Sequence, residues 1–92
     1  MITSFHCPDT EALFHGQRVA WFVNIAASAM RKLAMLSRAA TLEDLRIPPG
    51  NRLEKLLGDR AGQYSIRIND QWRICFCFED GNAYDVEIVD YH

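Results

Sequence analysis

Gln63-Tyr64-Ser65-Ile66-Arg67-Ile68, Asn69-Asp70-Gln71, Trp72-Arg73-Ile74-Cys75-Phe76-Cys77-Phe78, Asp80-Gly81-Asn82 and Ala83-Tyr84-Asp85-Val86-Glu87-Ile88-Val89-Asp90-Tyr91 form the stretch whose reading decides the fold. Apolar residues recur here with a period of two, the spacing of a strand with one buried face. The intervening Asn69-Asp70-Gln71 and Asp80-Gly81-Asn82 are rich in turn formers. The segment therefore reads as an antiparallel meander of strands over 63–68, 72–78 and 83–91. In the middle strand Trp72, Ile74, Phe76 and Phe78 share one face, which must be core, and Arg73, Cys75, Cys77 and Glu79 share the other. Its neighbour puts Tyr64, Ile66 and Ile68 on one side and Ser65 and Arg67 on the other. Two arginines are thus expected to project from a polar sheet surface.

Upstream the period changes. From Ala20 to Ala39 the chain is alanine-rich and free of Gly and Pro, with Ile25, Ala29, Met30, Leu33 and Leu36 spaced for one helical face. Arg31, Lys32 and Arg38 fall in its C-terminal half, where positive charge suits the helix dipole. Before it, Ile2 to Phe5 reads as a short first strand and Asp9 to His15 as a brief helix stopped by Gly16. After it, Thr41-Leu42-Glu43-Asp44 is a variant capping box that starts one or two short turns, and Pro48-Pro49-Gly50-Asn51 must end them. The expected architecture is α+β, a single domain over 1–92, with N-terminal helices packed on one face of an antiparallel sheet and the opposite face left for function.

Ninety-two residues leave no room for a second domain, and 49% hydrophobic with 24% charged residues is the balance of a globular chain, which excludes a disordered class. The apolar stretch from Val19 to Ala29 is interrupted by Asn24 and Ser28, so no membrane span is expected. The start of the chain lacks the basic and apolar regions of a signal peptide, which implies a cytoplasmic protein. Cys7, Cys75 and Cys77 are odd in number, and a bridge between residues two apart on one strand is unfavourable, in keeping with a reducing compartment. Cys75-x-Cys77 is half a metal site at most, and structural thiols are the simpler reading. Net charge is −2, yet all ten Lys and Arg lie between Arg18 and Arg73 against five acids there. A local basic surface on an acidic protein follows, and local potential governs docking. The stripe Trp21, Phe22, Ile25 and Met30 is either core or a partner groove.

Asn51-Arg52-Leu53, Gly58-Asp59-Arg60, Tyr64-Ser65-Ile66-Arg67, Trp72-Arg73-Ile74 and the terminal Asp90-Tyr91-His92 occur in one order along the chain. In that order they resemble the HigB-type toxins of the RelE group, also called plasmid maintenance system killer proteins; Ile2, Ser4, Phe5, the helix and Leu36 extend the likeness more loosely into the N-terminal half. The resemblance implies a RelE-like fold and a toxin of a type II toxin–antitoxin pair. It implies an endoribonuclease that cuts mRNA in the ribosomal A site by attack of a ribose 2′-hydroxyl on the adjacent phosphate, with ribosomal RNA and a helix-turn-helix, HigA-like antitoxin as partners. A protein that blocks translation by docking on the ribosome or the antitoxin, without cleavage, is the competing reading.

That reaction needs a base, an acid and positive charge beside the transition state, and no metal or other cofactor. Arg73 suits the charge, its planar donors matching phosphate oxygens, or it is a surface arginine paired to Glu87 or Asp85. His92 titrates near neutrality and, as the resemblance implies, serves as acid or base, unless it is a solvated chain end. Tyr91 either stacks on a base or supplies a phenol for proton transfer, or packs on an edge strand. Asp90 orients His92 or shapes the site by hydrogen bonding, or is an exposed acid. Arg67, Lys55 and Arg52 are RNA contacts or solvated charges. The sequence departs from the family pattern before Gly58-Asp59: Glu54 stands where a histidine is expected and Leu57 where a lysine is expected. A carboxylate there serves as a base only if its pKa is raised, and it repels phosphate, while leucine supplies no cation, so catalysis is expected to be weaker or arranged differently.

Overall fold

A computed structural model describes residues 1–91. Its centre is a four-stranded antiparallel sheet of β1 (Glu54–Lys55), β2 (Tyr64–Arg67), β3 (Trp72–Glu79) and β4 (Asn82–Asp90), paired in that order. The turn chemistry anticipated for the meander sets its corners. The Asn69 side-chain oxygen accepts the N–H groups of Gln71 and Trp72 at 2.8 and 2.9 Å, closing the β2–β3 corner. Asp80 and Gly81 have φ of 52° and 80°, the two positive values that a twist-matched two-residue hairpin turn requires between β3 and β4.

Two α-helices, α1 (Pro8–Phe14) and α2 (Ala26–Arg38), cover one face of the sheet. Proline at the start of α1 and Gly16 just past its end mark its limits; the Gly16 and Gln17 N–H groups return to Leu13 and Ala12 at 2.9 Å each, a Schellman closure. Ala29, Leu33 and Leu36 of α2 are fully buried against Ile66, Ile74, Phe76 and Val86 of the sheet. No helix among the described residues is long and apolar enough to cross a membrane.

The main helix is shorter than the 20–39 expected. Ala20–Phe22 is a 3₁₀ turn, and three-residue bonds join Phe22 to Val19 and Ile25 to Phe22 at 3.0 Å. That geometry aligns side chains three apart, so Val19, Phe22 and Ile25 all enter the core, and Phe22 meets Trp72 edge-on with centroids 5.8 Å apart. Of the aromatic stripe, Phe22 and Ile25 are thus core, whereas Trp21 is 74% exposed.

Ile2 to Phe5 does not form a regular strand. It runs parallel to the free edge of β4 and touches it at two bridges, Ile2 with Ala83 and Phe5 with Val86. The register of β3 and β4 shifts between Cys75 and Cys77, where Asp85 takes φ 53° as the extra residue of a bulge. The bulge interrupts the β3–β4 ladder, and the Asp85 N–H is bonded instead to the Ser4 hydroxyl at 2.9 Å. The capping box forms as read: the Asp44 carboxylate accepts the N–H groups of Ala40 and Thr41 at 2.9 and 3.0 Å and opens the 3₁₀ turn Leu42–Arg46. Strand β1 escaped the sequence reading because its two residues carry no periodicity.

Candidate functional site

Strand register decides which side chains meet on the face opposite the helices. Arg67 lies across from Arg73, Ser65 across from Cys75, Glu54 across from Ser65, and Glu87 across from Cys75. Directly opposed residues share a face, so the two arginines expected on the polar surface are neighbours there. With Arg52, Asn69, Asp70 and Tyr91 they line a cleft of about 300 Å³.

Arg73 forms its floor. The side chain is largely buried, its Nε donating to the Ser65 hydroxyl at 2.8 Å and its Nη2 to the Arg52 carbonyl at 2.6 Å, with the Glu54 carboxylate 3.5 Å from Nη2. The surface pairing with Glu87 or Asp85 does not occur: Glu87 binds Arg60 at 2.9 Å, and Asp85 is the bulge residue. Nη1 has no hydrogen-bond acceptor among the described residues. Five fixed N–H donors with one edge held by the protein leave the other edge for a planar or tetrahedral oxyanion.

The Arg73 guanidinium lies 5.7 Å from the centre of the Tyr91 ring, a cation–π separation. Tyr91 is 46% exposed, so one side of the ring stays open for stacking. Burial, reinforced by the neighbouring Cys75 thiol, pushes its phenol above the ordinary tyrosine range, so it keeps its proton at neutral pH. Burial likewise raises Cys75, which makes it a poor thiolate, and among the described residues no group of three or more His, Cys, Asp and Glu is placed to hold a metal. Arg67 pairs with Asp70 at the rim, and Arg52, in the left-handed region at φ 46°, sends its carbonyl inward and lines the cleft.

Asp90 and Lys55 fall on the other face, opposite Trp72 and Tyr64. Lys55 is therefore outside the cleft. Asp90 still touches the site indirectly: it accepts the Gln71 side-chain amide at 3.1 Å, and the Gln71 carbonyl takes the Tyr91 N–H at 2.7 Å. His92 lies outside the described residues. Glu54, in the expected histidine's place, faces Arg73, and Leu57, in the lysine's, is 83% exposed. Ser65, which sequence reasoning did not single out as a site residue, holds the Arg73 Nε; its signal was its alternation with Arg67 on the polar face. A second concavity of about 390 Å³, lined by Leu13, Val19, Val23, Ala26 and Met30, lies beside α1 and α2.

Residues 16–92 match the family described as RelE-like toxin of the type II toxin–antitoxin system HigB. The chain belongs to this HigB-like toxin family. It is 48% identical over 60 residues to Toxin HigB-1 of Vibrio cholerae, covering 65% of this chain and 63% of that protein. It is 46% identical over 41 residues to Endoribonuclease HigB of Proteus vulgaris, covering 45% of each. The chain thus spans less than two thirds of the length of these curated relatives. The YoeB–YefM toxin–antitoxin structure from Staphylococcus aureus superposes on all of this chain and 95% of its own with a TM-score of 0.63 at 22% identity, a likeness of fold. The α+β arrangement expected of a HigB-type chain is the one observed.

Proposed function

We propose that this chain is the toxin of a type II toxin–antitoxin pair and an endoribonuclease that cuts mRNA in the ribosomal A site, acting in the cytoplasm and restrained by a helix-turn-helix, HigA-like antitoxin. The observation that carries the proposal is Arg73, held by Ser65 and Arg52 at the floor of a cleft that also collects Arg52, Arg67 and Tyr91. A guanidinium fixed before substrate arrives stabilises a charged transition state without reorganisation. The ribose 2′-hydroxyl loses its proton and attacks the adjacent phosphorus, the 5′-oxygen departs and is protonated, and a cyclic phosphate remains. Arg73 binds the equatorial oxygens; Tyr91 stacks on a base or protonates the leaving oxygen; His92 is the proposed acid or base; Asp90, through Gln71, fixes Tyr91; Arg67 and Arg52 hold the flanking backbone. Lys55, on the other face, is assigned to ribosomal RNA.

One observation favours the competing, non-cleaving reading: the Glu54 carboxylate sits on Arg73, where it competes with phosphate. Primer extension on a defined message, with and without programmed ribosomes, separates the two. Cuts that require ribosomes and vanish with Arg73→Ala support the nuclease; blocked translation over an intact message overturns it in favour of docking alone.

A further inference from the structure

The turn between Pro48 and Arg52 is exposed at every residue but one. Asn51 is fully buried, and a buried amide is tolerated only when both ends are paired. Its Nδ2 donates to the Leu45 carbonyl at 3.1 Å and to the Met35 sulfur at 2.9 Å, and its Oδ1 accepts the Lys32 ammonium at 2.5 Å. Two of those partners belong to α2, so the side chain anchors the turn to the main helix. Burial, with Arg31 and Arg67 nearby, lowers the Lys32 pKa, in keeping with an ammonium drawn into this contact from water. The very next residue, Arg52, is in the left-handed region (φ 46°, ψ 55°), a conformation that a non-glycine residue keeps only where its surroundings hold it. Its carbonyl is the acceptor for Arg73 Nη2 at 2.6 Å.

We propose that Asn51 is a positioning residue for Arg73: by tying the turn to α2 it holds Arg52 in its left-handed conformation, and so keeps the Arg52 carbonyl on the Arg73 guanidinium. Asn51 itself touches no substrate. The consequence for cleavage rests on the function proposed above; the contact with Arg73 does not.

The test is made on the full chain. In ¹⁵N NMR the Arg73 Nε–H, bonded to Ser65, gives a side-chain signal whose position and exchange report how firmly the guanidinium is held. Asn51→Ala is expected to shift that signal and speed its exchange by roughly tenfold or more relative to the Ile74 amide; a misplaced catalytic group costs about ten- to a hundredfold in kcat on programmed ribosomes, with KM moved far less. Lys32→Met, which leaves Asn51 in place on a half-buried helix position, is expected to do the same to a smaller degree, and it carries the test where Asn51→Ala does not fold. In an Arg73→Lys background the Asn51 substitution should add little, because its effect runs through Arg73. An unchanged Arg73 signal in either folded variant, exchange that rises only in step with the Ile74 amide, or additive losses with Arg73→Lys would each overturn the proposal. A wild-type chain that cuts no RNA counts against the proposed function, while the Arg73 signal still decides the role of Asn51.

Discussion

Arg73 meets the protein through Nε and Nη2, and its planar fork leaves the Nη1 donors without an acceptor among the described residues. A lysine at this position cannot reach the Ser65 hydroxyl and the Arg52 carbonyl while presenting a third donor. Arg73→Lys is therefore expected to lower single-turnover cleavage by about a hundredfold or more, the scale of a lost transition-state donor, although the charge is kept. Glu54 allows a sharper test. Glu54→Gln removes the negative charge 3.5 Å from the guanidinium, so RNA should bind more tightly, as read by fluorescence anisotropy. If cleavage rises with binding, the carboxylate is only a competitor for Arg73; if it falls, Glu54 accepts the 2′-hydroxyl proton. The alternation of the sequence was enough to put Arg73 and Arg67 on one polar face. It did not reveal the partners, because Ser65 becomes a ligand of Arg73 only through the register of β2 on β3, and the Arg52 carbonyl only through a left-handed residue that no spacing announces.

Helix α2 is the element that joins core to cleft. Leu33 is fully buried on it, and Leu33→Ala should cost about 3 kcal/mol, measured by urea unfolding, because the site cannot collapse around the missing methyl groups. The 3₁₀ turn before α2 was read as its first turns because no Gly or Pro interrupts the stretch from Ala20, and the three-residue bonds of Phe22 and Ile25 leave no mark in the composition. The capping box at Thr41 was legible because its chemistry is local: a hydroxyl and a carboxylate three residues on suffice. The Thr41 N–H, then that of Ala40, hold the Asp44 carboxyl below the ordinary carboxylate range. A carboxyl lowered in the folded state adds stability above its unfolded pKa and loses it as pH falls through the folded one. The difference in Tm between wild type and Asp44→Asn should therefore be full at neutral pH and shrink in acid; a difference that grows in acid would reverse the assignment.

Across the whole molecule the net charge of −2 conceals a division of labour. Acids crowd the β3–β4 turn and β4, while Arg52, Arg67 and Arg73 converge on the cleft and outnumber the two acids there, Glu54 and Asp70. Binding of single-stranded RNA should weaken as salt rises, and Arg67→Ala should lower the slope of log K against log salt by up to about 0.7, the contribution of one phosphate contact. The fold as a whole was legible because period-two strands and a period-3.6 helix leave one packing solution, helices on one face. The N-terminal edge was not, since its pairing depends on the Asp85 bulge in a strand eighty residues away. The central claim, that a cleft built on Arg73 drives 2′-hydroxyl attack on a phosphate, is tested most directly by a message carrying a single 2′-deoxynucleotide 5′ to the cleaved phosphate, presented on programmed ribosomes. The account predicts that cleavage at that phosphate is lost while ribosome-bound toxin remains; undiminished cleavage of the deoxy-substituted message would contradict it.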